Sequence, residues 1–223
     1  MEENTINLLN EYLVGIYELD LGELEIEGIL NVKKFSKLTK LICSFNSIKK
    51  ISGLSKLLEY LDCSNNQLVK LGKMKVGCKL EYLNCSKNNI KSLDDLPDNL
   101  IELNCSHNFI KKLDNLPSNL ITLDCSWNLI KKLDNLPDGL KNLQCEWNNL
   151  IHMDKLPESL INLTCHNNEI SHLDNLPTSL KSLYCHSNKL NNLDNLPIGL
   201  EHLMYDNDKI IFNNKQLDIK FGK

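Results

Sequence analysis

Nine cysteines, six histidines and a recurrent aspartate are the residues of this sequence equipped for chemistry. They could serve metal ligation, disulfide formation, or acid–base and nucleophilic catalysis. The cysteine spacing points elsewhere. Cys43 and Cys63 are 20 residues apart, and after one 22-residue interval Cys85, Cys105, Cys125, Cys145, Cys165 and Cys185 follow at 20-residue steps. Structural zinc draws on closely paired C-x-x-C ligands, which this sequence lacks. In-register strands about 4.8 Å apart with parallel side chains give poor disulfide torsions. The recurring thiol therefore reads as a small hydrophobe in a core. Cys78 falls outside the register, in an insertion around Gly72 to Lys79, and is the one thiol expected to be reactive.

His107, His152, His166, His172, His186 and His202 are scattered over different repeats, and none stands beside a Ser or Cys nucleophile with an orienting carboxylate. His166 and His186 share a column and are expected to be stacked neighbours, with a metal site there the weaker reading. Asp94, Asp114, Asp134, Asp154, Asp174 and Asp194 recur before a Leu-Pro or Asn-Leu-Pro step. A calcium ladder needs Gly turns and a second ligand per unit, so turn capping is expected instead. The Lys49-Lys50, Lys111-Lys112 and Lys131-Lys132 pairs offset those charges in solvent. With no glycine-rich phosphate loop either, the sequence predicts no catalytic residue, no cofactor and no metal.

The elements that position these residues follow from the repeat. Each unit reads L-x-x-L-x-C-x-x-N-x-[IL]-x-x-L-x-x-L-P-x-x. One copy is Leu100-Ile101-Glu102-Leu103-Asn104-Cys105-Ser106-His107-Asn108-Phe109-Ile110, continued by Leu113, Leu116 and Pro117. The first column runs Leu38, Leu58, Leu80, Leu100, Leu120, Leu140, Leu160, Leu180 and Leu200; the Asn column runs from Asn46 to Asn188 and ends in Asp208. Tyr205 replaces Cys in the ninth unit, as a terminal repeat allows. Alternation around Leu103 predicts a short strand, and 20 residues are too few for a strand, a full helix and two turns. The return is therefore extended or a single 3₁₀ turn, and stacking of neighbours supplies the stability. The Asn side chain is expected to bond backbone of the adjacent turns.

This pattern resembles the leucine-rich repeat, with Cys where the third Leu usually stands. The 20-residue length with Leu-Pro before each unit looks most like the short repeats of bacterial effectors, and similar arrays occur in proteins of large DNA viruses and amoebae. The resemblance covers about residues 38–210. It implies a strand-rich α/β-type solenoid: a right-handed superhelix with a concave parallel sheet, an extended or 3₁₀ convex side and little helix. Effector ligases of that group carry a large catalytic domain after the repeats. About fifteen residues follow here, so ligase activity is not expected. The expected domains are a cap over 1–37 (a short helix within 4–14, then a degenerate unit from Leu19, Leu21, Leu24 and Ile26 to Phe35), nine repeats over 38–208 and a closing cap over 209–223.

The composition, 42% hydrophobic and 24% charged, is that of a folded protein, and no apolar run is long enough to span a bilayer. Net charge is −4, all 25 basic residues are Lys, and Arg and Ala are both absent, as in AT-rich genomes. Lack of Arg argues against nucleic-acid binding. An acidic N-terminus and free thiols point to a reducing, cytoplasmic compartment, its own or a host's. A monomer is expected.

Binding is expected where variable positions are more than polar. The column two past Cys reads Phe45, Asn65, Lys87, His107, Trp127, Trp147, Asn167, Ser187 and Asn207, and Phe109 and Leu129 stand two further on. Both tryptophans thus fall in adjacent repeats, at a position the fold does not require to be apolar. They read either as a docking hot spot or as rings laid across neighbouring loops. Glu102, Asn104, Asp124, Asn142, Gln144, Glu146 and Thr164 supply a polar rim, with Tyr184, His186, His202 and Met204 beyond. The expected function is a protein partner held on the concave face of repeats four to six. A glycan or other non-protein ligand, or a structural place in a larger assembly, are the alternatives.

Overall fold

The computed structural model describes residue 12, residues 14–72 and residues 77–206. The helix expected within 4–14 falls almost wholly outside the described residues, and the cap expected over 209–223 entirely so. The chain divides into two compact units, Met1–Ile110 and Lys111–Lys223. Among the described residues there is no helix.

In the first unit, β1 (Glu18–Asp20), β3 (Lys40–Ile42), β5 (Tyr60–Asp62), β6 (Tyr82–Asn84) and β7 (Glu102–Asn104) form a parallel sheet in that order. Leu19, Leu41, Leu61, Leu83 and Leu103 stand level across it. A smaller parallel sheet pairs β2 (Glu27–Asn31) with β4 (Ser47–Ser52), with a register shift at Gly28/Ile29. The degenerate stretch before residue 38 buries Leu19, Leu21, Ile26, Leu30, Val32 and Phe35, whereas Leu24, expected in the same apolar alternation, is exposed. The chain turns at Gly22 to Glu25, with Glu23 at φ 59° and Glu25 at φ 55°, which breaks the strand period that would have turned Leu24 inward.

The second unit repeats the arrangement with β8 (Thr122–Asp124), β9 (Asn142–Gln144), β10 (Asn162–Thr164), β11 (Ser182–Tyr184) and β12 (His202–Met204). Each strand is three residues long, its central Leu buried in β8 to β11 and half-buried in β12, and its flanking residues are half-buried or exposed. The backbone ladder runs on past each strand. Cys145 N–H donates to Thr164 O at 2.8 Å, and Trp147 N–H to His166 O at 3.1 Å. Each coil closes through a tight turn after its proline, with Leu140 N–H donating to Pro137 O and Leu160 N–H to Pro157 O, both at 3.0 Å. Proline suits the turn because its fixed φ is already that of a turn residue.

All nine thiols are free and buried. The eight in register are at most 1% exposed. Cysteine adds a weak donor where leucine would be mute: Cys145 Sγ lies 3.4 Å from Thr164 O, and Cys63 Sγ 3.5 Å from Asn84 O. Burial suppresses thiolate formation, pushing Cys85 and Cys185 up to about 12 and Cys63, Cys125, Cys145 and Cys165 well above the ordinary thiol value. Cys78 corrects the sequence reading: it is 5% exposed, with Sγ 3.9 Å from Leu58 O, and not a free surface thiol. Being out of register moved it to another inward position rather than to solvent.

The asparagine column behaves as expected. Asn148 Oδ1 accepts Ile130 N–H at 2.9 Å, and its Nδ2 donates to Cys125 O (3.0 Å) and Cys145 O (3.1 Å). Asn66, Asn88, Asn108, Asn168 and Asn188 repeat that pattern. The backbone groups that leave the ladder as each coil bends are thus met by one side chain per coil.

Candidate functional site

The column two past Cys has a geometry of its own. Phe45, Asn65, Lys87, His107, Trp127, Trp147, Asn167 and Ser187 all lie in the left-handed region, with φ between 52° and 56°. Such a φ is sterically costly for a large side chain and is usually given to Gly or Asn. The ladder imposes it: Trp127 N–H donates to Glu146 O at 2.9 Å and Trp147 N–H to His166 O at 3.1 Å. The left-handed turn throws each side chain outward, and nothing in the coil calls for an indole there.

In the second unit the two indoles stack, with ring centroids 4.3 Å apart and planes 15° from parallel. They remain 42% and 43% exposed. The rings lie against each other and still offer aromatic surface to solvent. Leu129 and Ile151 are exposed in the same unit. Gln144 is exposed and Asn142 and Thr164 half-buried on the strand face. Asp124 is partly committed, its Oδ1 accepting Ser126 N–H at 3.0 Å and Ser126 Oγ–H at 2.7 Å.

Glu146 departs from this pattern. It stands where five coils carry Ser44, Ser64, Ser86, Ser106 and Ser126, and its Oε2 is shut from solvent with no hydrogen-bond partner among the described residues. Burial lifts its carboxyl above the usual glutamate range; its own backbone N–H pulls the other way, and the Asp124 charge adds to the lift. An unpaired buried carboxylate oxygen beside an exposed aromatic pair is a group that gains from an added donor.

His166 and His186 are stacked as their column predicted, 4.4 Å apart and 11° from parallel. Their Nδ1 atoms are engaged by Asn167 Nδ2 at 2.7 Å and Ser187 Oγ at 3.2 Å. Burial, then the neighbouring His186 charge, lowers His166 below the ordinary histidine value. The sequence reading missed a second pair: His152 and His172 come together at 5.1 Å. Their 20-residue separation, the same as that of the cysteines, was the signal that could have found them.

The first unit holds the other expected contacts. Phe45 and Phe109 are exposed, as are Glu102 and His107. Asn104 is half-buried, its Oδ1 accepting Ser106 N–H and Oγ–H at 3.0 and 2.7 Å. Here the reading missed Tyr60 and Tyr82, stacked at 4.3 Å and 3° on the strand face with Lys40 Nζ 5.4 Å from the Tyr60 ring. Burial and the neighbouring Tyr60 hydroxyl push the Tyr82 phenol up to about 12. In-register strands set equivalent side chains about 4.8 Å apart, close enough for aromatic rings of adjacent coils to stack.

No protein-family profile and no curated protein sequence matches the chain. Solved structures do. The functional domain of InlJ from Listeria monocytogenes, described as including a cysteine ladder, is 30% identical with a TM-score of 0.75 over 86% of this chain and 44% of that one. YopM, a leucine-rich effector protein of Yersinia pestis, is 27% identical with a TM-score of 0.74 over 88% of this chain and 61% of that one. The leucine-rich-repeat domain of a Shigella effector shares the fold at 24% identity and a TM-score of 0.56, over 84% and 77% of the two chains. The chain thus spans less than two thirds of the InlJ and YopM structures it resembles.

Proposed function

The chain being a leucine-rich-repeat solenoid with a parallel sheet, we propose that it is a non-catalytic protein-interaction module whose second unit docks a protein partner around Trp127 and Trp147. The observation that carries this reading is the placement of both tryptophans. They occupy left-handed positions that burden a large side chain, and they stay about two-fifths exposed. A costly conformation retained for a large exposed side chain is a mark of use at the surface. Asp124, Gln144 and Glu146 stand near the pair in sequence register as a polar rim, with Leu129 as an exposed apolar neighbour. Phe45, Glu102, Asn104, His107 and Phe109 of the first unit are further candidate contacts. InlJ and YopM support a module of this kind, the one described as a functional domain with a cysteine ladder and the other as a leucine-rich effector protein.

The same reading makes the chain a monomer that works where thiols stay reduced, in the cytoplasm of its own cell or of a host, without nucleic-acid or membrane targets. Its test is a cross-linking pull-down that compares wild type with Trp127→Ser/Trp147→Ser. The double variant is expected to lose about 2–4 kcal/mol of partner affinity while its urea midpoint stays near that of the wild type. Unchanged capture together with a lowered midpoint assigns the rings to self-packing and overturns the proposal. A glycan array that lights up where no protein is captured favours a carbohydrate ligand for the same rings.

A further inference from the structure

A second constellation lies outside the Trp surface, on the return segments of two successive coils of the second unit. His152 and His172 occupy one repeat column, with Asp154 two residues past the first of them. Their donor atoms, one per side chain, all lie within 4.8 Å of one another. His172 Nε2 is 3.8 Å from Asp154 Oδ1, and Ser171 Oγ meets the other ring nitrogen, Nδ1, at 2.9 Å. We propose that His152, Asp154 and His172 form a binding site for one divalent transition-metal ion of the zinc, cobalt, nickel or copper class.

Ligand chemistry and orientation both favour this. Two imidazoles and a carboxylate are the donor set such ions take, and three protein ligands leave a position for water. The Nδ1–Ser171 Oγ hydrogen bond, in which the ring N–H donates when Nε2 is left to ligate, holds the His172 ring so that Nε2 faces the carboxylate, the outer-sphere device by which metal-binding histidines are oriented. The contrast with His166 and His186 is instructive. Those rings lie nearly parallel at 11°, each with Nδ1 engaged by a neighbouring side chain, whereas the planes of His152 and His172 are turned 42° apart. Parallel stacked rings direct their nitrogens side by side; turned rings allow them to converge. The column also changes character here, since the equivalent positions of the two preceding coils hold Lys112 and Lys132 and that of the next coil Asn192.

Donors around a tetrahedral ion at about 2.0–2.1 Å sit roughly 3.4 Å apart, so the triad must draw in by about an ångström. His152 and Asp154 are exposed and His172 half-buried, so the first two can move without disturbing the core. Metal binding should pin these side chains and link the two coils that carry them.

The test titrates the full chain, thiols reduced, with Zn²⁺ by calorimetry and with Co²⁺ by visible absorption. One equivalent is expected to bind, with Co²⁺ giving d–d bands and no thiolate charge-transfer band. His152→Ala and His172→Ala should each weaken binding by at least about 10-fold, the loss typical of removing even an outer-sphere partner. His166→Ala/His186→Ala should leave it unchanged. Absence of saturable uptake by the wild type, binding that survives in His152→Ala/His172→Ala, loss in the His166/His186 variant, or a cobalt–thiolate spectrum each overturns the assignment.

Discussion

Replacing Asn148 by Ala is the sharpest test of what holds the coils together. The side chain accepts Ile130 N–H at 2.9 Å, and its two N–H groups are shared among Cys125 O, Cys145 O and Glu146 O at 3.0, 3.1 and 3.3 Å. These are not equal losses. Cys125 O also receives Asn128 Nδ2 at 3.1 Å, Cys145 O also receives Asn168 Nδ2 at 3.0 Å, and Glu146 O keeps Trp127 N–H at 2.9 Å. Each carbonyl therefore retains a donor. The Ile130 N–H has Asn148 Oδ1 as its acceptor, and it belongs to a residue with no exposed surface. Leaving that donor unmet costs about 1–3 kcal/mol. The void left by the amide adds roughly 1 kcal/mol, at about 24 cal/mol per Å³. The expected total is about 2–4 kcal/mol, read from urea unfolding followed by the fluorescence of Trp127 and Trp147, which flank this coil. Asn149→Ala, one residue on and exposed, is the control. Hydrogen exchange should single out the Ile130 amide for acceleration. A loss below about 0.5 kcal/mol, or one matched by Asn149→Ala, would refute the account of the asparagine column as the coils' internal staple.

Native-state alkylation should be slow at all nine thiols, Cys78 included, and should follow global unfolding in urea; rapid labelling of Cys78 alone would restore it as a surface thiol. Trp147→Gly should leave stability within about 1 kcal/mol of wild type, because relief of the left-handed φ offsets the lost ring stacking; a drop of several kcal/mol in urea denaturation would show the ring to be part of the core. Glu146 carries a pH dependence of definite sign. Its folded value is raised, so the native state holds the proton more tightly than the unfolded chain does. The stability it contributes is full below the ordinary glutamate range and is lost as pH rises through the raised value. Glu146→Gln should therefore be closer to wild type in stability near about pH 4 than near about pH 7, where it should be the more stable of the two, by urea midpoints. A variant that is less stable at both pH values would mean the carboxylate is satisfied in solution.

Much of this molecule was legible as spacing. A thiol, a leucine and an asparagine returning every 20 residues leave few structures open, because only stacked coils give each of them the same surroundings in every copy. The solenoid, the three-residue strands, the buried cysteine column and the bonding of the asparagines follow from that periodicity. So does the outward placement of the variable column that holds Trp127 and Trp147. Periodicity also misled, at Leu24, where a turn broke the strand alternation, and at Cys78. Cys78 looked free because it broke the register, yet an insertion has its own inward positions, and only the folded backbone says which they are.

What required tertiary structure was how side chains of neighbouring coils orient toward one another. Sequence puts Trp127 and Trp147, Tyr60 and Tyr82, and His152 and His172 about one repeat apart, but separation along the chain does not say whether two rings stack, tilt or part. That depends on φ at the position and on what the ring nitrogens or edges find to bond. Left-handed backbone beside the ladder leaves the indoles stacked and half open; Ser171 turns one histidine toward a carboxylate, and Asn167 and Ser187 occupy the other pair. The unmet oxygen of Glu146 is likewise invisible in one dimension, since burial and want of a partner are properties of what surrounds an atom. The repeat determined the scaffold because identical environments demand identical residues, while its departures from repetition acquired meaning only once neighbouring coils were set side by side.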